Sequence, residues 1–283
     1  MSRPEHLAPP EIFYNEEEAD KYASSSRMIE IQSRMSERAV ELLLLPDRPC
    51  MILDVGCGSG ISGDVLSEKG HTWVGVDISQ AMLEVARNRE VEGDIMLGDA
   101  GQGFGFRPGV FDGVISISAI QWLCNADRKG HEPFKRLCAF FKSLYNCLTR
   151  GGRAALQFYP ETPSQVEMIT AAAMRNGFGG GLVVDYPNST RAKKYFLCLY
   201  AGFVSVPPQM PKALDGVPED EAREATARSS GRERERVNRK AAKAASKVKG
   251  KDWVIQKKER HRRQGKVVKT DSKYTGRRRP ARF

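Results

Sequence analysis

Short apolar runs alternate with stretches of helical periodicity along most of this chain. From Glu16 to Leu45 the apolar positions Ile29, Met35, Ala39, Leu42 and Leu43 recur near helical spacing, and Pro46 and Pro49 punctuate the end. Five apolar runs then predict strands at 51–55, 73–77, 94–97, 111–116 and 153–158, the last preceded by a long helix over about 132–148. Strands separated by helical patterns specify βαβ units and a parallel sheet. A glycine-rich break at 177–181 leads to two more runs, Leu182–Tyr186 and Tyr195–Leu199. Their connection is short, so they are expected to pair antiparallel and to form a reversed edge on the sheet.

Past Val206 the pattern stops. Pro207, Pro208, Pro211 and Pro218 read as a linker, and from Glu221 onward the chain is charged and poor in apolar residues. Such a stretch buries too little surface to offset its ordering entropy, so disorder in isolation is expected. Arg232–Val248 has helical propensity and is expected to order only against RNA. Charge sharpens the division. Residues 205–283 carry 24 Lys+Arg against 10 Asp+Glu, whereas residues 1–204 carry 21 against 25. A mildly acidic body with a strongly basic tail points to a polyanionic partner gripped through the tail. A charge run of this kind is usually a solvated, inert face; Trp253, Tyr274 and Phe283, set among the basic residues, argue against that here.

Three function classes drop out. No apolar run approaches the roughly 20 residues that span a bilayer, so no membrane role is expected. The opening Met1–His6 lacks the apolar core of a signal peptide. Cysteines 50, 57, 124, 138, 147 and 198 include no C-x-x-C pair, which reads as reduced thiols and no metal site.

The candidate chemistry sits at strand ends. Asp54-Val55-Gly56-Cys57-Gly58-Ser59-Gly60 closes the first strand and opens a helix. Glycines there permit a tight turn and let a ligand reach main-chain N–H groups. Gly58–Gly63 also satisfies the dinucleotide pattern G-x-G-x-x-G, a weak signal by itself. Asp54 decides against that ligand, because a carboxylate would repel a pyrophosphate and welcome a cationic, phosphate-free ligand. Asp77 ends the second strand, where a carboxylate reaches the ribose hydroxyls of an adenosine. Asp99 closes the third and is placed for the adenine. Alone, Asp99 reads better as a turn or N-cap residue; together the three acids read as a ligand site.

These residues resemble the motifs of class I S-adenosylmethionine-dependent methyltransferases over roughly residues 50–200. A closer resemblance reaches both ends of the chain, through Pro9–Tyr14, Lys21–Arg27, Ser116–Leu123, Trp253…Glu259 and Tyr274–Arg277. It is to the eukaryotic 18S rRNA (guanine-N7) methyltransferase family of small-subunit ribosome biogenesis. The fold implied is α/β: a Rossmann-like, seven-stranded, mostly parallel sheet with an N-terminal helical segment and a disordered basic tail. Residues 1–49 would form a lid and helix, 50–206 the methyltransferase domain, and 207–283 the RNA-binding and nuclear-targeting tail.

The resemblance implies S-adenosylmethionine as cofactor, S-adenosylhomocysteine as product, and a cofactor set of Asp54, Gly56, Gly58, Gly60, Asp77, Ile78, Asp99, Ala100, Ser116, Tyr14 and Tyr22. It also implies heterodimer formation with a small zinc-binding activator. In this fold the third strand lies at the sheet edge, here Ile95-Met96-Leu97, and an open apolar edge invites strand addition. Guanine N7 carries no proton, so transfer needs positioning and no general base. Of His6, His71, His131 and His261, none accordingly is expected at a strand end beside the ligand loop, and no Asn/Asp-Pro-Pro-Tyr motif follows the fourth strand. Trp122 and Gln121 either border the transfer pocket or serve as core packing and a turn. Phe13, Tyr14 and Tyr22 either cover the cofactor or form a helix packing stripe; Cys57 is a small residue tolerated in the loop. The tail run Lys257–Arg263 reads as a nuclear import signal, placing the protein in the nucleus, nucleolus and nucleoplasm, with a cytoplasmic pool. Two other readings compete: a small-molecule or carboxylate methyltransferase, and an assembly scaffold for precursor 40S particles whose catalysis is dispensable.

Overall fold

Continuous apolar runs such as Ile52-Leu53 and Val114-Ile115 are buried on both faces, as strands of a parallel sheet covered by helices must be. The computed structural model describes residues 3–190, 192–202, 210–215, 255, 257–259, 261, 262, 268–273 and 275. The chain divides into two compact units, Met1–Ala222 and Arg223–Phe283.

In the first unit the strands are β1 (Met51–Val55), β2 (Thr72–Asp77), β3 (Asp94–Leu97), β4 (Phe111–Ile117), β5 (Leu148–Phe158), β6 (Gly179–Asp185) and β7 (Lys194–Tyr200). They form one seven-stranded sheet in the order β3-β2-β1-β4-β5-β7-β6. The first five run parallel, and β7 runs antiparallel to both β5 and β6. Antiparallel pairing of the last two strands agrees with the sequence, but the reversed strand is not the edge. Phe196-Leu197-Cys198-Leu199 of β7 is buried on both faces and takes an interior position, whereas β6 alternates exposed and buried residues and tolerates the edge. Nor are glycines 179–181 a break. They lie in β6, where a β-carbon at Gly180 would fall 2.1 Å from the Cys198 carbonyl oxygen.

Helices α1 (Pro10–Phe13), α2 (Glu16–Ser24), α3 (Ser26–Leu43), α4 (Ile61–Glu68), α5 (Gln80–Asn88), α6 (Pro133–Cys147) and α7 (Pro163–Arg175) complete the unit. The helix-rich stretch before Pro46 is interrupted at Ser25, whose backbone is extended and whose hydroxyl accepts from Met28 N–H at 3.4 Å to start α3. Phe140, Phe141 and Leu144 of α6 pack with Phe158 and Ile169 in one hydrophobic cluster. Met35, Leu42 and Leu43 of α3 pack with Trp73, Ile115 and Phe196 in a second. Strand order reverses between β1 and β4, so their carboxyl ends open a crevice at the topological switch point, where ligands bind in doubly wound sheets.

In the second unit, residues 255, 257–259, 261 and 262 are helical. Asp271 accepts from Lys258 at 2.9 Å and pairs with Arg262. Expected disorder beyond Glu221 and the helical propensity of Arg232–Val248 fall mainly or wholly outside the described residues, as do Trp253, Tyr274 and Phe283. Among the described residues no helix is long and apolar enough to cross a membrane.

Candidate functional site

At the carboxyl end of β1 the chain must turn sharply into α4, and it does so with Gly56, Gly58 and Gly60 all at positive φ (74°, 51° and 81°). A side chain at Gly56 would place its β-carbon 2.4 Å from Ala119 Cβ, and one at Gly58 would meet Met82 Cε at 2.8 Å. The loop therefore lies flush against its neighbours and leaves a cavity of about 540 Å³ above it. That volume falls in the range of roughly 300–1,000 Å³ typical of small-molecule sites.

Gly56, Gly58, Asp77, Ile78, Asp99, Ala100, Gln121, Trp122, Tyr14 and Tyr22 all line this cavity, so the structure brings together most of the residues singled out from sequence. Asp77 is held by the loop itself. One carboxylate oxygen accepts from Gly58 N–H and the other from Ser79 N–H, both at 2.8 Å, which ties the glycine loop to the end of β2. Burial raises the Asp77 carboxyl above the usual carboxylate range, and these N–H donors counter the effect.

Asp54 and Ser116 sit elsewhere. Both are fully buried behind the loop, and neither lines the cavity. Asp54 Oδ2 accepts from the Ser62 hydroxyl at 2.5 Å, while Oδ1 and Ser116 Oγ have no hydrogen-bond partner among the described residues. The carboxylate expected from sequence to meet a cationic ligand therefore does not line the cavity, and holds the Ser62 hydroxyl of α4 instead. Gly60 likewise stays off the cavity wall, as the cap at the start of α4.

Burial raises the Asp54 carboxyl from 3.8 to about 7, with the Ser62 hydroxyl opposing and Asp77 reinforcing the shift. Between those pH values the folded chain holds a proton that the unfolded chain has lost, so stability falls as pH rises through the window. Asp54→Asn is expected to flatten that fall in the melting temperature between pH 4 and 7; an undiminished slope would assign it to other groups.

Asp99 caps the 3-10 turn Ala100–Gln102, accepting from Gly101 N–H at 2.8 Å, as an isolated Asp at a strand end does. It is also held by Arg136 of α6 at 2.7 Å. Arg136 and His131, absent from the sequence-derived set, both line the cavity.

The aromatic wall comes from both ends of the body. Trp122 lies in the 3-10 turn Ile120–Cys124 after β4, with ring centroids 6.0 Å from Phe13 and 5.9 Å from Tyr14. Tyr14 in turn meets Tyr22 edge-on at 6.1 Å. Phe13, Tyr14 and Tyr22 thus pack as a stripe, and through Tyr14 and Tyr22 the stripe also closes the cavity. The N-terminal segment is pinned across it. Arg3 donates to the Tyr159 and Pro160 carbonyls at 3.0 and 3.1 Å, Glu11 pairs with Arg128, and the Ser79 hydroxyl donates to the Tyr14 carbonyl at 2.8 Å. Burial, followed by the charge of Asp77, keeps the Tyr14 hydroxyl protonated far above neutrality; burial does the same for Tyr22.

Ser118 ends β4 in the left-handed region at φ 57°, a conformation that costs a non-glycine residue about 1 kcal/mol or more. Its environment imposes it. Ser118 N–H donates to the Gln157 carbonyl at 3.1 Å, its hydroxyl donates to Gln157 Oε1 at 2.7 Å, and its carbonyl accepts from Gln121 Nε2 at 2.8 Å. Gln121 is therefore a turn residue that also faces the cavity. Ser59 Oγ, Gln121 Oε1 and Arg136 Nε, on wall residues, are buried with no hydrogen-bond partner among the described residues. Cys57 is buried in the loop, and burial raises its thiol well above the ordinary range, so it is no nucleophile. Among the described residues no group of three or more His, Cys, Asp or Glu is placed to hold a metal ion.

Comparison with known proteins agrees with this geometry. Residues 53–156 match a family model described as "Methyltransferase domain", and residues 199–281 match one described as "Methyltransferase involved in Williams-Beuren syndrome". Among solved structures, phosphoethanolamine N-methyltransferase 2 of Haemonchus contortus, in complex with S-adenosyl-L-methionine, superposes with a TM-score of 0.52 at 16% identity. The match covers 72% of this chain and 61% of that one, a likeness of fold. The 18S rRNA (guanine-N(7))-methyltransferase of Mus musculus is 55% identical over 99% of this chain and 98% of its own length. The 18S rRNA (guanine(1575)-N(7))-methyltransferase of Saccharomyces cerevisiae is 48% identical over the whole of both chains. Likeness of that extent spans both chains almost end to end, and on it the chain belongs to the family of 18S rRNA (guanine-N7)-methyltransferases.

Proposed function

We propose that this chain transfers the methyl group of S-adenosylmethionine to N7 of a guanine in 18S rRNA during biogenesis of the 40S subunit. The observation that carries this reading is identity of 48–55% over essentially the full length to enzymes named for that reaction. The cavity fits the cofactor. It combines a glycine cradle with no room for side chains, Asp77, Asp99 and Ala100 among its lining residues, and further lining residues with unpartnered buried polar atoms. When bound, the cofactor supplies an electrophilic methyl group on a cationic sulfur and leaves as S-adenosylhomocysteine.

The chain's own residues bind, orient and exclude water. Asp77 accepts the ribose hydroxyls with lone pairs left over from its two N–H contacts, and Ile78 and Ala100 flank the adenine. Trp122 offers its ring to the guanine, and Tyr14 and Tyr22 shut out water. Neither tyrosine serves as a base, because both stay protonated, and none is needed, because N7 has its lone pair in the base plane and no proton. N7 in an A-form helix faces a groove too deep and narrow for side chains, so the target guanine is unpaired or extruded.

Residues 1–49 serve as lid and helix, 50–206 as the transferase domain and 207–283 as the tail that contacts rRNA phosphates. The tail's Lys257–Arg263 run directs the protein to the nucleus and nucleolus. A small zinc-binding activator adds a strand to β3, which among the described residues is paired only with β2 and exposes Met96 by 45% and Leu97 by 58%. A role in assembly independent of catalysis is part of the proposal. The small-molecule reading leaves the basic tail without a purpose. The test is transfer of labelled methyl from S-adenosylmethionine by the full chain, co-expressed with the activator, to precursor small-subunit particles from cells lacking it. The label is expected as N7-methylguanosine in 18S rRNA; label in another nucleoside, or in no RNA, would refute the reading.

A further inference from the structure

Arg136 occupies a position that helix electrostatics disfavour. It lies in the opening turn of α6, which begins at Pro133 and carries no acid in its first turn. Unpaired backbone N–H groups give that end a partial positive charge, so a cation there is disfavoured. A residue that breaks a local rule calls for a compensating contact.

The contacts are specific. The Arg136 side chain is only 13% exposed. One terminal nitrogen donates to Asp99 Oδ1 at 2.7 Å, and the other lies 2.6 Å from His131 Nδ1. The guanidinium is laid flat over Gly101, where a β-carbon would fall 2.3 Å from Nε and 2.4 Å from a terminal nitrogen. Glycine at 101 therefore keeps the space that the guanidinium fills. Asp99 Oδ1 is saturated, accepting from both Gly101 N–H and Arg136. Among the described residues Oδ2 has only the exposed Gln102 amide, at 3.3 Å, and so retains acceptor capacity. Asp99, Ala100, Ile78 and Arg136 all line the cavity.

We infer that Arg136 is a positioning residue for cofactor recognition: by locking Oδ1 of Asp99 it presents Oδ2 to the 6-amino group of the adenine. The amino group is the hydrogen-bond donor that separates adenine from other purines. The inference rests on the assignment of Asp99 to the adenine made above. A carboxylate left to rotate would lose the alignment on which a charge-assisted hydrogen bond depends.

The test is isothermal titration of the full chain, purified as for the transfer assay, with S-adenosylhomocysteine and with its 6-deamino analogue, in which hydrogen replaces the amino group. Wild type is expected to prefer the adenine compound by about 10- to 100-fold, the range of a hydrogen bond to a charged group. In Arg136→Met the preference is expected to collapse to less than about 3-fold, chiefly through weaker binding of the adenine compound. Arg136→Lys, which keeps the charge without the planar fork, is expected to retain part of it. If wild type discriminates and Asp99→Asn does not, yet Arg136→Met keeps the full ratio, Arg136 merely joins the turn to α6 and the inference fails alone. If wild type itself does not discriminate, Asp99 does not read the adenine, and the assignment and the inference fall together. Thermal melting of each variant verifies folding, and Arg136→Lys decides the matter should Arg136→Met not fold.

Discussion

Asp77→Lys is expected to lower affinity for S-adenosylmethionine by about 1,000-fold or more. Two hydrogen bonds from ribose hydroxyls to a charged carboxylate are together worth roughly 3–6 kcal/mol. The variant also sets an ammonium beside a ligand that brings a cationic sulfur and an amino group of its own. Both Asp77 oxygens also accept main-chain N–H bonds at 2.8 Å, from Gly58 and Ser79. Asp77→Lys therefore also loosens the glycine loop. Asp77→Asn separates the two effects, since an amide retains one acceptor and the shape while losing the charge; about 10- to 100-fold weaker binding is expected. Calorimetric titration reads both variants, and affinity within about 3-fold of wild type in Asp77→Lys would remove Asp77 from the ribose.

The largest effect on stability is expected far from the cavity. Arg38 of α3 reaches Asp185 at the end of β6, with Nε 2.9 Å from Oδ2, in a pair exposed by only 16% and 2%. Arg38 also donates to the Lys212 carbonyl at 2.7 Å, and Asp185 Oδ1 accepts from Leu214 N–H at 2.8 Å. One buried pair thus fastens both α3 and the segment after β7 to the edge strand. Removing Arg38 leaves Asp185 buried without a counter-charge, which costs about 3–5 kcal/mol, whereas Arg38 also pairs with the exposed Glu41 at 3.0 Å and keeps a partner when Asp185 is removed. For a unit of this size each kcal/mol moves the melting point by roughly 2–4 °C, so Arg38→Met is expected to lower it by about 10 °C. The double variant Arg38→Met/Asp185→Leu is expected to recover much of that loss, because it strands no charge. A single variant melting within about 2 °C of wild type would show that the pair adds nothing to stability.

The strand ends and the glycine loop were legible because each rests on a local constraint. Three positive-φ glycines in five residues mark a turn that nothing else can make, and Asp77 follows at the spacing a βαβ unit requires. The position of β7 was not legible. Pairing of the last two strands follows from their short connection, but which of them enters the sheet depends on burial from both sides, a property of the assembled sheet. Asp54 shows another limit. Its place after Leu53 is evident in sequence, whereas pleat alternation aims its carboxylate at Ser62, behind the loop. Arg136 was invisible for a third reason: it meets Asp99 across 37 residues, and neither residue's local pattern names the other. For Trp122 and Gln121 the sequence left wall and packing roles open, and the structure gives each residue both.

The central claim is methylation of guanine N7 in 18S rRNA, and chemical mapping of that RNA tests it most directly. Borohydride reduction followed by aniline cleaves RNA at N7-methylguanosine, and the break is read by primer extension. In cells lacking this protein, the wild-type chain is expected to restore one cleavage site in 18S rRNA and Asp77→Lys to leave it absent. A site that persists without the protein, or that returns with Asp77→Lys despite lost cofactor binding, would contradict the account.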